Sequence, residues 1–183
     1  MLSNVDAIKA NEFKNKFIEN TQRILGFTNV IITRISSEDP KIRRLYEDVP
    51  SLLDFAKSSL SSMGETTHVN IIIGFIKKIL DNKKLDTADG VHIWHRIHAR
   101  DDSVLVTNLN VILPENPFIP RIQFIYGNNP DKIRYVSDKE IGTMWNLVTA
   151  LIHNAVKYVV YSGNESIISM IPRELIEEFK IKF

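Results

Sequence analysis

The chain has 183 residues, a length typical of a single globular domain and large enough to be stable without disulfides or structural metals. Charged residues make up 25% and apolar residues 44% of the chain, which excludes a disordered or collagen-like protein. The net charge of +1 argues against strong attraction to nucleic acid or anionic lipid. Because the sequence contains no cysteine, disulfides, thiol nucleophiles and thiolate metal sites are excluded.

No segment of the sequence is typical of export or of membrane insertion. The N-terminus begins polar and carries Asp6, unlike the basic-then-apolar order of a secretory signal. The most apolar window, residues 141–161, is interrupted by Asn146, His153 and Lys157, each of which would be costly in hydrocarbon. We therefore expect no membrane contact and a cytoplasmic protein. The 26 isoleucines are typical of genes with low GC content, so a bacteriophage or viral protein located in a virion is the alternative.

The first half of the chain carries mostly helical patterns. A capping-box-like start at Ser3 predicts a helix over about 4–25, which Gly26 ends, whereas the β-branched run at 30–32 predicts a short strand. The apolar residues assigned to one face of the first helix are Val5, Ile8, Phe13, Phe17, Ile24 and Leu25. Further helices are predicted from Asp39–Pro40 onward, over 51–63 and over 67–83.

After the turn signal Asp89–Gly90 the pattern changes from helical to β-like. Four strands are predicted, over 91–98, 104–113, 119–126 and 133–136. Their connections are too short for helical crossovers, so we expect a four-stranded antiparallel meander over about 90–136.

A long helix follows the predicted sheet. Ser137 and Glu140 form a capping box, and the apolar positions after them predict a helix over about 138–161. This helix would span roughly 36 Å, enough to cover the sheet. The expected fold class is therefore α+β, in one domain over 1–183 with two possible lobes, 1–89 mostly helical and 90–183 with the sheet and helices.

Three histidines, His92, His95 and His98, lie within the first predicted strand. Imidazole is a natural ligand for zinc, iron or nickel. In a strand, however, His92, Trp94, Arg96 and His98 share one face and His95 points to the other, and His92 and His98 are about 20 Å apart. We therefore expect no metal or other cofactor, and a metal-dependent enzyme that uses the three histidines remains an alternative.

The face that carries Trp94 and Arg96 is the main candidate for binding. Trp and Arg are frequent anchors of protein interfaces, so the face could contact a partner protein or a second copy, unless the protein's own helix covers it. The candidate interface residues are His92, Trp94, Arg96 and His98. Together with Arg121 and Arg134, Trp94 and Arg96 also support an alternative, a nucleic-acid-binding accessory protein.

The segment from His153 to Tyr158 resembles the asparagine box of the histidine-kinase ATPase family. The resemblance implies that Asn154 would help to hold magnesium and ATP phosphates. In that family glycine-rich segments should follow the box, whereas only Gly163 remains in this chain. We therefore interpret the segment as part of an amphipathic core helix.

No nucleophile elbow, phosphate-binding loop, zinc-protease motif or dinucleotide fingerprint occurs in the sequence. An enzyme is therefore not favoured. The expected function is a non-enzymatic structural or adaptor subunit that assembles with itself or with other proteins. A phage or viral structural protein is the particular form of this function that the composition suggests.

Overall fold

The computed structural model of the chain describes residues 4–79, 97, 99–100, 135–169, 171, 173 and 176–177. The elements of this part are α1 (Asn4–Glu38), α2 (Pro40–Leu45), α3 (Val49–Ser62), α4 (Glu65–Ile79), α5 (Asp138–Ser162) and α6 (Glu165–Ile168). No strand occurs among the described residues. The described part is all-α, and the predicted α+β class with its four-stranded meander is wrong.

Helix α1 continues well beyond the predicted end at Gly26, and the predicted strand over 30–32 is wrong because these residues lie inside the helix. Ile31 and Ile32 are both buried, whereas Val30 is exposed. This pattern fits a helical face that packs on other helices and contradicts the alternation of a strand. Burial against neighbouring helices thus outweighs the weak preference of β-branched residues for strands.

Gly26 lies in the interior of α1, so its replacement by alanine tests the corrected helix. A Cβ atom at this position would lie 3.3 Å from Nζ of Lys57, the mobile end of a flexible side chain. We expect Gly26→Ala to raise the free energy of unfolding by up to about 1 kcal/mol, because alanine favours a helix interior. Urea denaturation of the wild type and of Gly26→Ala measures this difference in the free energy of unfolding. A clear loss of stability would contradict a helical Gly26.

The next three helices confirm the local signals that predicted them. The carboxylate of Asp39 accepts a hydrogen bond from the backbone N–H of Lys41 at 2.9 Å, and Pro40 occupies the first turn of α2. The run Ile71–Ile73, within the helix predicted over 67–83, is helical in α4. None of the helices in the described ranges is long and apolar enough to cross a membrane.

Helix α5 begins and ends as the sequence predicts. The hydroxyl of Ser137 accepts from the backbone N–H of Glu140 at 3.1 Å, and the Glu140 carboxylate accepts from the backbone N–H of Ser137 at 2.9 Å. Gly163 follows the helix with a φ of 70°, the left-handed conformation that glycine adopts without strain. The capping box and the predicted range of about 138–161 are thereby confirmed.

The core lies where α1, α3, α4 and α5 meet. Helix α5 runs antiparallel to α1, since Asn20 contacts Asn154 whereas Arg34 contacts Glu140. On another side of α1, α3 is also antiparallel. The side-chain amide of Gln22 donates to Ser61 Oγ at 2.7 Å, and that of Asn29 donates to Asp54 Oδ1 at 3.0 Å. Helix α1 is therefore the central element of the described part, with neighbours on most of its circumference.

Most residues of the four predicted strands lie outside the described part of the chain. Ile97, in the first of these strands, is helical and buried in the core, and its carbonyl accepts from the N–H of Arg100 at 2.9 Å, as in a turn. Tyr135 and Val136, in the fourth, form an irregular lead into α5. At these positions the apolar residues pack against helices. Apolar alternation predicted strands here, and that prediction is wrong.

Candidate functional site

A hydrogen bond between two asparagines lies in the middle of the α1–α5 interface. Asn154 Nδ2 donates to Asn20 Oδ1 at 2.6 Å, and both residues are buried. A buried amide that lost its partner would cost about 1–3 kcal/mol, so this bond favours one alignment of the two helices. Asn154 is therefore a core residue, and its amide is engaged within the protein instead of facing a nucleotide.

Lysines surround an aromatic pair that joins the start of α1 to the end of α5. The rings of Phe13 and Tyr161 are nearly parallel, with centroids 5.7 Å apart. The ammonium groups of Lys157 and Lys16 lie 4.9 and 5.0 Å from the Phe13 centroid, and that of Lys9 lies 5.1 Å from the Tyr161 centroid. Because the protein's own ammonium groups lie over both rings, the pair is better suited to hold the helices together than to stack nucleic-acid bases.

A buried lysine ties α1 to the first turn of α4. Lys14 Nζ lies 2.7 Å from Oε1 of Glu65, whose side chain is exposed. The hydrogen bond and the positive charge of Lys14 hold the pKa of Glu65 below its ordinary value. Burial raises the pKa of the nearby Tyr158 hydroxyl, and the charge of Glu65 adds to this effect. The contact satisfies a desolvated ammonium group and is a structural link between the helices.

Arg34 clamps the C-terminal half of α1 to the start of α5. Its Nε donates to Glu140 Oε2 at 2.9 Å, Nη2 donates to Glu140 Oε1 at 2.5 Å, and Nη2 also donates to the carbonyl of Tyr135 at 3.2 Å. Burial alone would raise the pKa of Glu140, but the hydrogen bonds from Arg34 and Ser137 outweigh it and lower the pKa. The same contact raises the pKa of Arg34. The Arg34–Glu140 contact is bidentate, and hydrogen bonds of this charged kind are stronger than those between neutral groups.

The side of α1 that faces away from the core carries an exposed row of residues. We name it the outer stripe, which consists of Val5, Ile8, Glu12, Lys16, Glu19, Arg23 and Val30. Val5, Ile8 and Val30 are 61%, 68% and 62% exposed, and they are three of the six large exposed hydrophobic residues in the described part. Since their spacing places them on one helix face, they form a shared surface instead of scattered single contacts.

The charged residues of the outer stripe alternate in sign along the helix, in the order Glu12, Lys16, Glu19 and Arg23. Lys16 Nζ lies 2.7 Å from Glu12 Oε1, one helical turn away. The hydrogen bond from Lys16 lowers the pKa of Glu12, so this carboxylate is charged at neutral pH. The stripe thus has charged residues in the middle and aliphatic residues toward both ends.

Three shallow clefts flank the C-terminal half of α1. The cleft between α1 and α3 has a volume of about 490 Å³ and is bordered by Val30, Thr33, Asp54 and Lys57, among others. A second, of about 440 Å³, lies beside the Arg34 clamp, and a third, of about 380 Å³, lies near α2. Their linings mix charged and apolar groups without a nucleophile and base in contact. The first cleft adjoins Val30, and all three are open to solvent and do not form an enclosed site.

The residues predicted as a site from the sequence, His92, Trp94, Arg96 and His98, lie outside the described part of the chain, as does His95. Their roles in an interface or at a metal stay predictions. Within the described residues, no group of three or more histidine, aspartate or glutamate side chains could hold a metal ion.

The outer stripe was not predicted, because Val5 and Ile8 were assigned from the sequence to the buried face of the first helix. The structure leaves both exposed, whereas Phe17 is buried. The nine-residue step from Ile8 to Phe17 spans about two and a half helical turns, so these two residues lie on opposite sides wherever the helix ends. The predicted face therefore grouped residues that a helix does not bring together.

No protein-family model, no curated protein and no solved structure matches this chain. The viral setting, which was expected from composition, and the structural role, which was expected from the lack of catalytic motifs, have no support.

Proposed function

We propose that this chain is a non-enzymatic adaptor that acts by binding protein through the outer stripe of α1. The observation that carries the proposal is the row of three exposed aliphatic residues, Val5, Ile8 and Val30, on a helix that packs against α3, α4 and α5 with other faces. Protein interfaces commonly combine apolar anchors with charged residues around them, and the outer stripe has both.

The ionic contacts between helices support a binding role. The pairs Arg34–Glu140 and Lys14–Glu65 each connect two different helices. The pKa shifts of Arg34, Glu140 and Glu65 therefore accompany contacts between helices. These charged groups hold helices together, whereas the outer stripe stays exposed.

Photo-cross-linking in the native host tests the proposal. A photoreactive amino acid replaces Val30 in the full chain, and mass spectrometry identifies the adducts. Phe55 is the matched control, because it is apolar and 71% exposed but lies on α3, outside the stripe. We expect a polypeptide adduct from position 30 and little from position 55. Equal yields at both positions, or no adduct at position 30, would contradict binding through the stripe.

A further inference from the structure

We propose that the outer stripe binds a second copy of this chain, with the two α1 helices antiparallel about a two-fold axis that passes between residues 17 and 18. This inference rests on the proposed function and names its partner. A two-fold interface uses the same surface on both copies, so the stripe must be complementary to itself when its direction is reversed. The order of its residues has this property.

The charges of the stripe pair with opposite charges in this arrangement. Glu12 lies opposite Arg23 of the partner subunit, and Lys16 lies opposite Glu19 of the partner subunit. The two-fold axis repeats each pair, so four charges on each copy, all on the exposed side of α1, are matched. Charge matching of this kind sets the relative direction of two partners as well as their attraction.

A parallel arrangement in the same register would instead place each charge against its own copy. Glu12 would then face a second Glu12, and Arg23 a second Arg23. Such contacts between like charges oppose association, so the order of charges selects the antiparallel direction.

The aliphatic residues of the stripe match in the same register. Val5 lies opposite Val30 of the partner subunit, next to the cleft between α1 and α3 that Val30 borders. Ile8 lies close to Gly26 of the partner subunit, which is bordered by the flexible end of the partner subunit's Lys57. The contact would extend over about 25 residues of each helix, or roughly 37 Å. Apolar pairs at both ends and charged pairs in the middle fix the register.

Cysteine cross-linking tests the direction of the pairing, and the natural chain adds no background because it has no cysteine. We expect the double variant Val5→Cys, Val30→Cys to form a disulfide-linked dimer under mild oxidation. The single variants should remain uncross-linked, since identical positions would be about 37 Å apart. A dimer formed by Val5→Cys alone would overturn the antiparallel arrangement. Thermal unfolding followed by circular dichroism verifies that each variant is folded.

Charge reversal tests the register. By sedimentation equilibrium, we expect Glu12→Arg or Arg23→Glu to weaken the dimer about tenfold, since each change disrupts two symmetric pairs. The combined variant should restore association. The matched control reverses Arg44 and Glu47, two exposed charges outside the stripe, and should leave the dimer unchanged. Equal effects in the control, or no restoration in the combined variant, would overturn the register.

The two proposals fail in different ways. If the wild-type chain stays monomeric at high concentration, the proposal that the partner is a second copy of this chain is wrong. If Val30 still forms an adduct with a different polypeptide in the host, the adaptor function stands. If position 30 forms no adduct with any polypeptide, the adaptor function itself is wrong.

Discussion

Replacing Phe17 by alanine should lower the free energy of unfolding by about 3–5 kcal/mol. Phe17 is 1% exposed, and its ring meets that of Phe75 in α4 edge to face, with centroids 5.4 Å apart. The truncation removes both the burial of an aromatic side chain and the aromatic contact, and it leaves a cavity between α1 and α4. Urea denaturation monitored by circular dichroism measures the loss, provided that the dependence on urea concentration stays constant.

Phe55→Ala is the control for this prediction because the chemical change is identical. Phe55 is 71% exposed, so we expect a change within about 0.5 kcal/mol. Losses of similar size at the two positions would contradict the placement of Phe17 in the core. They would also contradict the contact between α1 and α4.

Replacing Glu140 by glutamine should lower the free energy of unfolding at neutral pH by about 2 kcal/mol. Glutamine is also a good capping-box residue, so the start of α5 should persist while the charge opposite Arg34 is lost. The matched control is Glu38→Gln, which removes an exposed carboxylate 3.1 Å from the same arginine. Since exposed ion pairs contribute little, the control should lose at most about 0.5 kcal/mol. Equal losses in both variants would contradict the clamp.

Glu140→Gln should also change how the free energy of unfolding depends on pH. The pKa of Glu140 is lower in the folded protein than its ordinary value of about 4.3. The folded state therefore favours the charged carboxylate, and this contribution is present above the ordinary value and lost as the pH falls through the lowered pKa. We expect the difference between wild type and Glu140→Gln to shrink below about pH 4. A constant difference from neutral pH to pH 3 would contradict the lowered pKa.

Signals that depend on a few neighbouring residues were predicted correctly. The carboxylate of Asp39 and the hydroxyl of Ser137 cap the helices that follow them, and Pro40 lies in a first turn. These features need only backbone groups within about four residues, so the sequence specifies them without any knowledge of distant contacts. For the same reason α5 has nearly the predicted bounds.

Predictions that depended on distant partners failed. The run 30–32 has the composition of a strand, and Gly26 has the usual character of a helix end, yet both lie within α1. The side of α1 that is buried depends on where α3, α4 and α5 pack. Val5 and Ile8 were assigned to the same face as Phe17 although helical spacing separates Ile8 from it by half a turn, and the outer stripe was not recognised.

The absence of thiol chemistry, the near-neutral charge and the starts of α2 and α5 follow from composition and local hydrogen bonding, so the amino-acid order alone predicts them. The continuity of α1 and the identity of its exposed face depend on contacts between helices. Apolar residues are stabilised by burial against whichever surface is available, and short β-branched runs suit either a helix or a strand. The packing of α5 along α1 made that choice, and it left the outer stripe exposed.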